Sequence, residues 1–298
     1  MTDTSRIHLG SAPDSWGIWF PEADGQVPWT RFLDELAMSG YKWVELGPHG
    51  YLPTDKDTLL AEMAKRELSV SGGGVFGGLH KAEQFEADLA EARKVAKLVS
   101  ETGGKYLIYL PEGYTDLDGN VIAPTTLTGD EWTRVTTRMQ EIGKIVAEEF
   151  GVSLVFHPHA DSHIGTQDEI YRLMNDTVDR YVNLCLDTGH VSYCGGDNLA
   201  IIERFGSRVQ YVHLKQVDPH ILARVNEESM GFAPAVRLGV MCEPPLGIPA
   251  MPPIIEALSK LNADIYAIVE QDMYPCEPDK PLPIATRTRQ YFNTCGVH

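Results

Sequence analysis

Two short segments place proton carriers and metal-ligand residue types just past apolar runs. Val182 to Leu186 leads into Asp187-Thr-Gly-His190, and Val209 to Val212 leads into His213-Leu-Lys215. The intervening DNLAIIERFGSR has helical spacing, so the order is strand, helix, strand. Asp and His are hard-to-borderline metal ligands and move protons near neutral pH. Two parallel strands presenting them at the same end make a site, and in parallel α/β folds that end carries the chemistry.

The elements needed to position such a site recur along the chain. Apolar strand patterns start at Ile7, Lys42, Ser69, Lys105, Val152, Val182, Val209 and Asp264. Helical patterns lie between them, at Trp29–Met38, Asp55–Glu67, Ala82–Thr102, Thr128 to about Phe150, Thr166–Met174 and Pro253–Leu261, with a terminal one at Pro283–Phe292. Residues 113–129 read as a loop, and the proline-rich stretch 219–252 as a long irregular loop with short helices. Strict β-then-α alternation over nearly the whole chain predicts an α/β fold, a single (β/α)8 TIM barrel spanning 1–298. No GxGxxG or GxxxxGK[ST] follows the first strand, and Gly72-Gly-Gly74 fits neither spacing. The 298 residues carry a formal net charge of -17, which argues against nucleic acid and anionic membrane as partners. The five cysteines are scattered, without a CxxC pair, which supports neither a disulfide framework nor a zinc ribbon. No signal-like N-terminus or membrane-length apolar run is present, and the expected setting is cytoplasmic.

If the chain is a barrel, the strand C-termini form its rim. They supply Asp14 and Trp16, Glu45, the Gly72–Phe76 stretch, Glu112, His157 and His159, Asp187 and His190, His213 and Lys215, then Glu270, Gln271 and Asp272. His157, Asp187, His213 and Glu270 sit at equivalent places on the fifth to eighth strands. Two carboxylates and two neutral imidazoles balance a divalent cation, and the donor set suits Mn, Co, Fe or Zn better than Ca or Mg. Ordinary structural roles compete with this reading. Asp187 suits a helix N-cap for Thr188–Tyr193, His157 or His159 a structural hydrogen bond, Lys215 a solvated rim charge and Glu45 a supporting position.

LCLDTGHVSYCGGD, YVHLKQVDP, LVFHPHADSHIGTQDEIYRLM, IVEQDMYP and APDSWGIWFP together resemble the sugar phosphate isomerase/epimerase superfamily of xylose-isomerase-like barrels. Within it they are most similar to the inosose (2-keto-myo-inositol) dehydratases of inositol catabolism. The resemblance implies metal ligands on the fifth to eighth strands, commonly Glu, Asp, His and Glu. Asp187, His213 and Glu270 match, and His157 stands at the first position. Asp161 to Thr166, Gln216 and Met241–Pro249 also depart from the dehydratase pattern, at positions expected to line the substrate pocket.

The resemblance implies a lyase that eliminates water from a cyclic keto-polyol through an enediolate held by a divalent metal. Manganese is the first choice, with cobalt, iron, zinc or magnesium as alternatives. Glu270 or Lys215 would remove the α-proton, and His190 or His159 would protonate the departing hydroxyl. Lys215 is expected to have a lowered pKa beside a cation. Asp14, Trp16, Glu45 and Gln271 are expected to bind substrate, with Trp19, Phe76 and Tyr114 as further walls. Replacing one of two base carboxylates by His157 favours elimination over epimerisation. Keto-sugar epimerisation or isomerisation, elimination from a 3-keto-glycoside, and a non-catalytic sugar-binding subunit are the alternatives. A homo-oligomer is expected, a second subunit remaining open.

Overall fold

The structure, a computed structural model, describes residues 3–261 and 263–298. Among them, eight parallel strands close a barrel in the order β1-β10-β7-β6-β5-β4-β3-β2. They are β1 (Ile7–Ser11), β2 (Trp43–Glu45), β3 (Ser69–Gly77), β4 (Tyr106–Pro111), β5 (Ser153–Phe156), β6 (Asn183–Asp187), β7 (Val209–Leu214) and β10 (Ile265–Val269). Closure is made by β1 against β10, in register from Ile7↔Ile265 to Ser11↔Val269. All five residues of β10 are buried, as a strand covered on both faces requires. The Gly72–Gly74 run lies inside β3, not in a phosphate loop. A Cβ at Gly72 would lie 2.6 Å from the Tyr106 carbonyl oxygen, so β3 and β4 meet there only because the side chain is missing.

The outer ring contains α1 (Trp29–Met38), α2 (Lys56–Ala64), α3 (Phe85–Glu101), α4 (Gly129–Phe150) and α5 (Gln167–Asp176). After β6 come two helices, α6 (Thr188–Tyr193) and α7 (Asn198–Phe205). Thr128 with Glu131 and Thr166 with Glu169 form capping boxes that start α4 and α5. Gly151, at φ 67°, ends α4 in the left-handed region and turns the chain into β5. The buried Arg208 guanidinium donates to the carbonyls of Met174, Thr177 and Val182, fixing the approach to β6 from the side opposite the strand's C-terminal end.

Residues 219–252 are more ordered than their proline content predicts. Gln216–Val217 (β8) and Met241–Cys242 (β9) pair as an antiparallel ribbon that encloses α8 (Pro219–Glu227) and α9 (Phe232–Leu238). Val217, Leu222, Val225, Phe232, Val236 and Met241 give this insertion a small core of its own, which also takes in Ala160. It lies beside the strand C-termini and therefore forms part of the mouth. α10 (Met251–Ser259) leads into β10, and α11 (Pro281–Thr294) completes the ring. No helix of the described residues is long and apolar enough to cross a membrane.

Candidate active site and metal centre

Strand alternation builds the centre. Val155, Cys185, Tyr211 and Ile268 belong to the buried cluster that fills the barrel lumen. Two residues further along each strand stand His157, Asp187, His213 and Glu270. A period of two keeps each pair on one face, so the chain moves from apolar lumen to polar mouth on four neighbouring strands. Register places Asp187 opposite His213 and His213 opposite Ile268. One ligand atom from each of the four lies within 4.8 Å of the others, and all four residues are buried.

The local geometry fits a divalent cation. His213 Nδ1 is 2.9 Å from Glu270 Oε2 and 3.6 Å from Asp187 Oδ2, and His157 Nε2 is 3.2 Å from Asp187 Oδ2. Metal bonds of about 2.1 Å put neighbouring ligand atoms roughly 3–3.5 Å apart. His157 Nδ1 and His213 Nδ1 are buried without a hydrogen-bond partner among the described residues. Nδ1 of His213 thus lies close to Glu270 without the alignment of a hydrogen bond, as two ligands aimed at a common point would. Its other nitrogen, Nε2, is 2.8 Å from Glu45 Oε2. Glu45 lines the cavity but its contact is with a histidine of the cluster, an arrangement that would fix which ring nitrogen is free for a metal.

Asp187 makes the helix cap that the sequence suggested and keeps its second carboxylate oxygen toward the cluster. Its Oδ1 accepts from the backbone N–H of Gly189 and of His190, each at 2.8 Å, and so caps α6. Its Oδ2 faces His157, His213 and Lys215. Burial opposes its charge, but Lys215 leads a set of neighbours that hold it well below the usual carboxylate range. Burial likewise opposes ionisation of Glu270, and His213 and Lys215 overcome it, pushing the carboxyl down to about 2.

Lys215 sits among three carboxylates. Its Nζ lies 2.8 Å from Asp272 Oδ2, 3.0 Å from Glu270 Oε2 and 3.1 Å from Asp187 Oδ2. Burial works against the ammonium, but with no cation beside it these carboxylates outweigh burial and hold the group well above the ordinary lysine range. An ammonium so held donates hydrogen bonds to the three carboxylates. Gly189 seats its stem, since a Cβ there would lie 2.5 Å from Lys215 Cγ.

His159 and His190 pack with ring centroids 4.0 Å apart. Burial, then the neighbouring His157, pushes His159 down to about 4. Burial, then His159, holds His190 well below the usual histidine range. Phe232 of α9 lies against both rings, at 5.0 and 4.9 Å.

The four residues named as substrate-binding divide. Asp14 reaches the cavity floor with Oδ2 buried and unpartnered among the described residues, and burial, then Glu270, raises its carboxyl well above the usual range. Trp16 faces the other way: it is buried, donates from Nε1 to Glu35 Oε2 at 2.8 Å, and packs edge-on to Phe32 of α1. The wall is made instead by Trp19, stacked on Tyr274 at 4.9 Å. Gln271 also turns away, its amide donating to the Met241 carbonyl, while Asp272 lines the cavity. Period two would have found Asp272, two residues past Glu270, in place of Gln271. Phe76 lines the cavity as expected; Tyr114 instead packs beside His163. The cavity encloses ≈ 200 Å³, with a polar floor and upper walls of Trp19, Phe20, Phe76, Leu110 and Phe232. Phe232 carried no sequence signal, because it comes from the insertion rather than from a strand end.

Comparison with known proteins agrees with this architecture. Residues 33–292 match the family described as xylose isomerase-like TIM barrel. The chain belongs to that family. An inosose dehydratase of Geobacillus thermodenitrificans is 30% identical over 305 residues, covering 100% of both chains. Among solved structures, the probable 3-DHS dehydratase AsbF of Bacillus anthracis superposes with a TM-score of 0.73 at 14% identity, covering 96% of this chain and 98% of its own. The IolI protein with a binding zinc atom gives a TM-score of 0.71 at 16% identity, covering 98% of each. The cluster opens at the C-terminal ends of the strands, the end that carries the chemistry in TIM barrels.

Proposed function

We propose that this protein is a divalent-metal-dependent lyase that eliminates water from a cyclic keto-polyol of the inosose type. The observation that carries this reading is the convergence of His157, Asp187, His213 and Glu270 at a cavity that His159 and His190 also line. The full-length similarity to inosose dehydratases supports it. We place manganese first, with cobalt, iron, zinc or magnesium as alternatives. A cation held by the four residues supplies Lewis-acid stabilisation for negative charge developing on a ketone oxygen.

The chain's own residues supply the remaining requirements. Elimination needs one group to take the proton next to the ketone and one to return a proton to the departing hydroxyl. Glu270, His159 and His190 line the cavity in reach of such a substrate. Lys215 offers hydrogen bonds to substrate oxygens, and Asp272 and Asp14 shape the polar floor. Trp19 and Phe76 present apolar faces to the ring carbons.

The apolar upper walls favour one second reading, elimination of an aglycone from a 3-keto-glycoside, whose apolar group would occupy that space. Incubation with inosose and with a panel of 3-keto-glycosides in D2O, followed by product analysis, tests both. The proposal expects an unsaturated or dione product from inosose. An epimer carrying deuterium at the inverted carbon, with no elimination product, would overturn it.

A further inference from the structure

We infer that the two cavity histidines are not interchangeable: hydrogen bonds to Ala160 leave His159 a free Nε2 lone pair for proton transfer and fix His190 as an Nε2–H donor. His159 Nδ1 lies 2.6 Å from the Ala160 carbonyl oxygen. A carbonyl only accepts, so this nitrogen carries a proton. The Ala160 backbone N–H donates to His190 Nδ1 at 3.2 Å. An amide only donates, so that nitrogen is bare and the ring's one proton is on Nε2. The backbone N–H and C=O of a single buried residue therefore set two facing imidazoles in opposite tautomers.

The consequence is chemical. His159 has an open lone pair on Nε2 and accepts a proton there without disturbing either bond. His190 gains a proton only at Nδ1, where it would have to release the Ala160 amide and leave that donor buried and unpaired. Rotation is also opposed. Phe232 packs on both rings, and the backbone N–H of His190 is tied to Asp187 Oδ1. Ala160 is held by the residue after it. Asp161, at φ 55°, accepts on Oδ2 from the Phe232 backbone N–H at 2.7 Å and from Thr115 Oγ1 at 2.9 Å.

In elimination, His159 Nε2 takes the proton from the carbon next to the ketone. The C–H electron pair becomes the new C=C bond, and the β C–O pair leaves with its oxygen. The imidazolium returns the proton to that oxygen, so water departs and His159 ends neutral. His190 keeps its Nε2 proton and acts as a positioning residue, with Nε2 3.9 Å from Asp187 Oδ2. Lys215 Nζ, 3.5 Å away, faces three closer carboxylates that take its N–H groups, so it does not claim a lone pair on Nε2.

The test has two arms, and only the second rests on the lyase reading. In the first, long-range ¹⁵N correlation spectra are recorded on the zinc-loaded, histidine-labelled protein, with signals assigned by their loss in His159→Gln and His190→Gln. The expected result is a bare Nδ1 and protonated Nε2 in His190, and the reverse in His159. A protonated Nδ1 in His190, or a bare Nδ1 in His159, would overturn the assignment. In the second, inosose is followed in D2O for exchange of its α-hydrogen and for elimination. His159→Gln should lose about 10²–10⁴-fold in both, the scale of a proton-transfer group. His190→Gln should lose about tenfold or less, the scale of one neutral hydrogen bond. Equal losses in the two variants would overturn the division of roles. A wild-type protein that leaves inosose unchanged would count against the lyase reading, while the spectra would still decide the tautomers.

Discussion

Glu45 is not among the four proposed ligands, yet the geometry predicts that metal binding depends on it. Its Oε2 is 2.8 Å from His213 Nε2, which leaves Nδ1 facing Glu270 and Asp187. Glu45→Ala removes the acceptor while leaving β7 and the ring in place. A buried ring nitrogen then loses its partner, at a cost of about 1–3 kcal/mol. Spread over the metal-bound state this corresponds to roughly 10–100-fold in affinity, the range found when partners of ligand histidines are removed. Glu45→Gln retains a carbonyl oxygen of similar reach and should lose about tenfold or less. Competition between the protein and a chromophoric chelator for zinc or manganese measures these differences directly, and circular dichroism confirms that the variants fold. Metal affinity in Glu45→Ala within about twofold of wild type would refute the idea that Glu45 selects the coordinating nitrogen of His213.

Three further outcomes follow from the same geometry. Gly189→Ala would drive a methyl into the Lys215 stem, so it should lower turnover at least about tenfold with only about 1–2 kcal/mol lost from stability, read by steady-state kinetics and thermal melts. Trp16→Phe should cost about 1–2 kcal/mol by losing the Glu35 bond and leave KM unchanged, whereas Trp19→Ala should raise KM; the opposite pattern would return Trp16 to the substrate wall. Burial opposes the His213 cation, but Cys185, Glu270 and Glu45 hold its pKa well above the ordinary value. The folded protein without metal therefore keeps that proton through neutral pH, and metal must displace it. Metal affinity should fall as pH falls, with proton release on binding detected by calorimetry in buffers of different ionisation enthalpy.

The fold was legible because its signals are local and repeated: eight apolar strands, helical spacing between them, and capping boxes at Thr128 and Thr166. The four cluster residues were legible for a geometric reason, since each lies two residues past a lumen-filling side chain and a period of two holds them on that face. Reading strand ends does not show which way a residue beyond the strand turns. Trp16 and Gln271 therefore looked like cavity residues, while Trp19 and Asp272 occupy those places. The charge state of Lys215 depends on three carboxylates from β6 and the segment after β10, brought together by barrel closure. Phe232 comes from an insertion whose packing over the mouth no local pattern encodes.

The central claim, that this four-residue centre needs a divalent cation to eliminate water from a cyclic keto-polyol, is tested most directly by removing and restoring the ion. The protein is stripped with chelator, its metal content is measured, and inosose turnover is followed before and after addition of one equivalent of manganese, in wild type and in His213→Ala. The account predicts that stripping abolishes dehydration, that one equivalent restores it in wild type, and that His213→Ala neither holds the ion nor recovers while remaining folded. Undiminished dehydration by metal-free protein, or stoichiometric metal with normal turnover in His213→Ala, would contradict it.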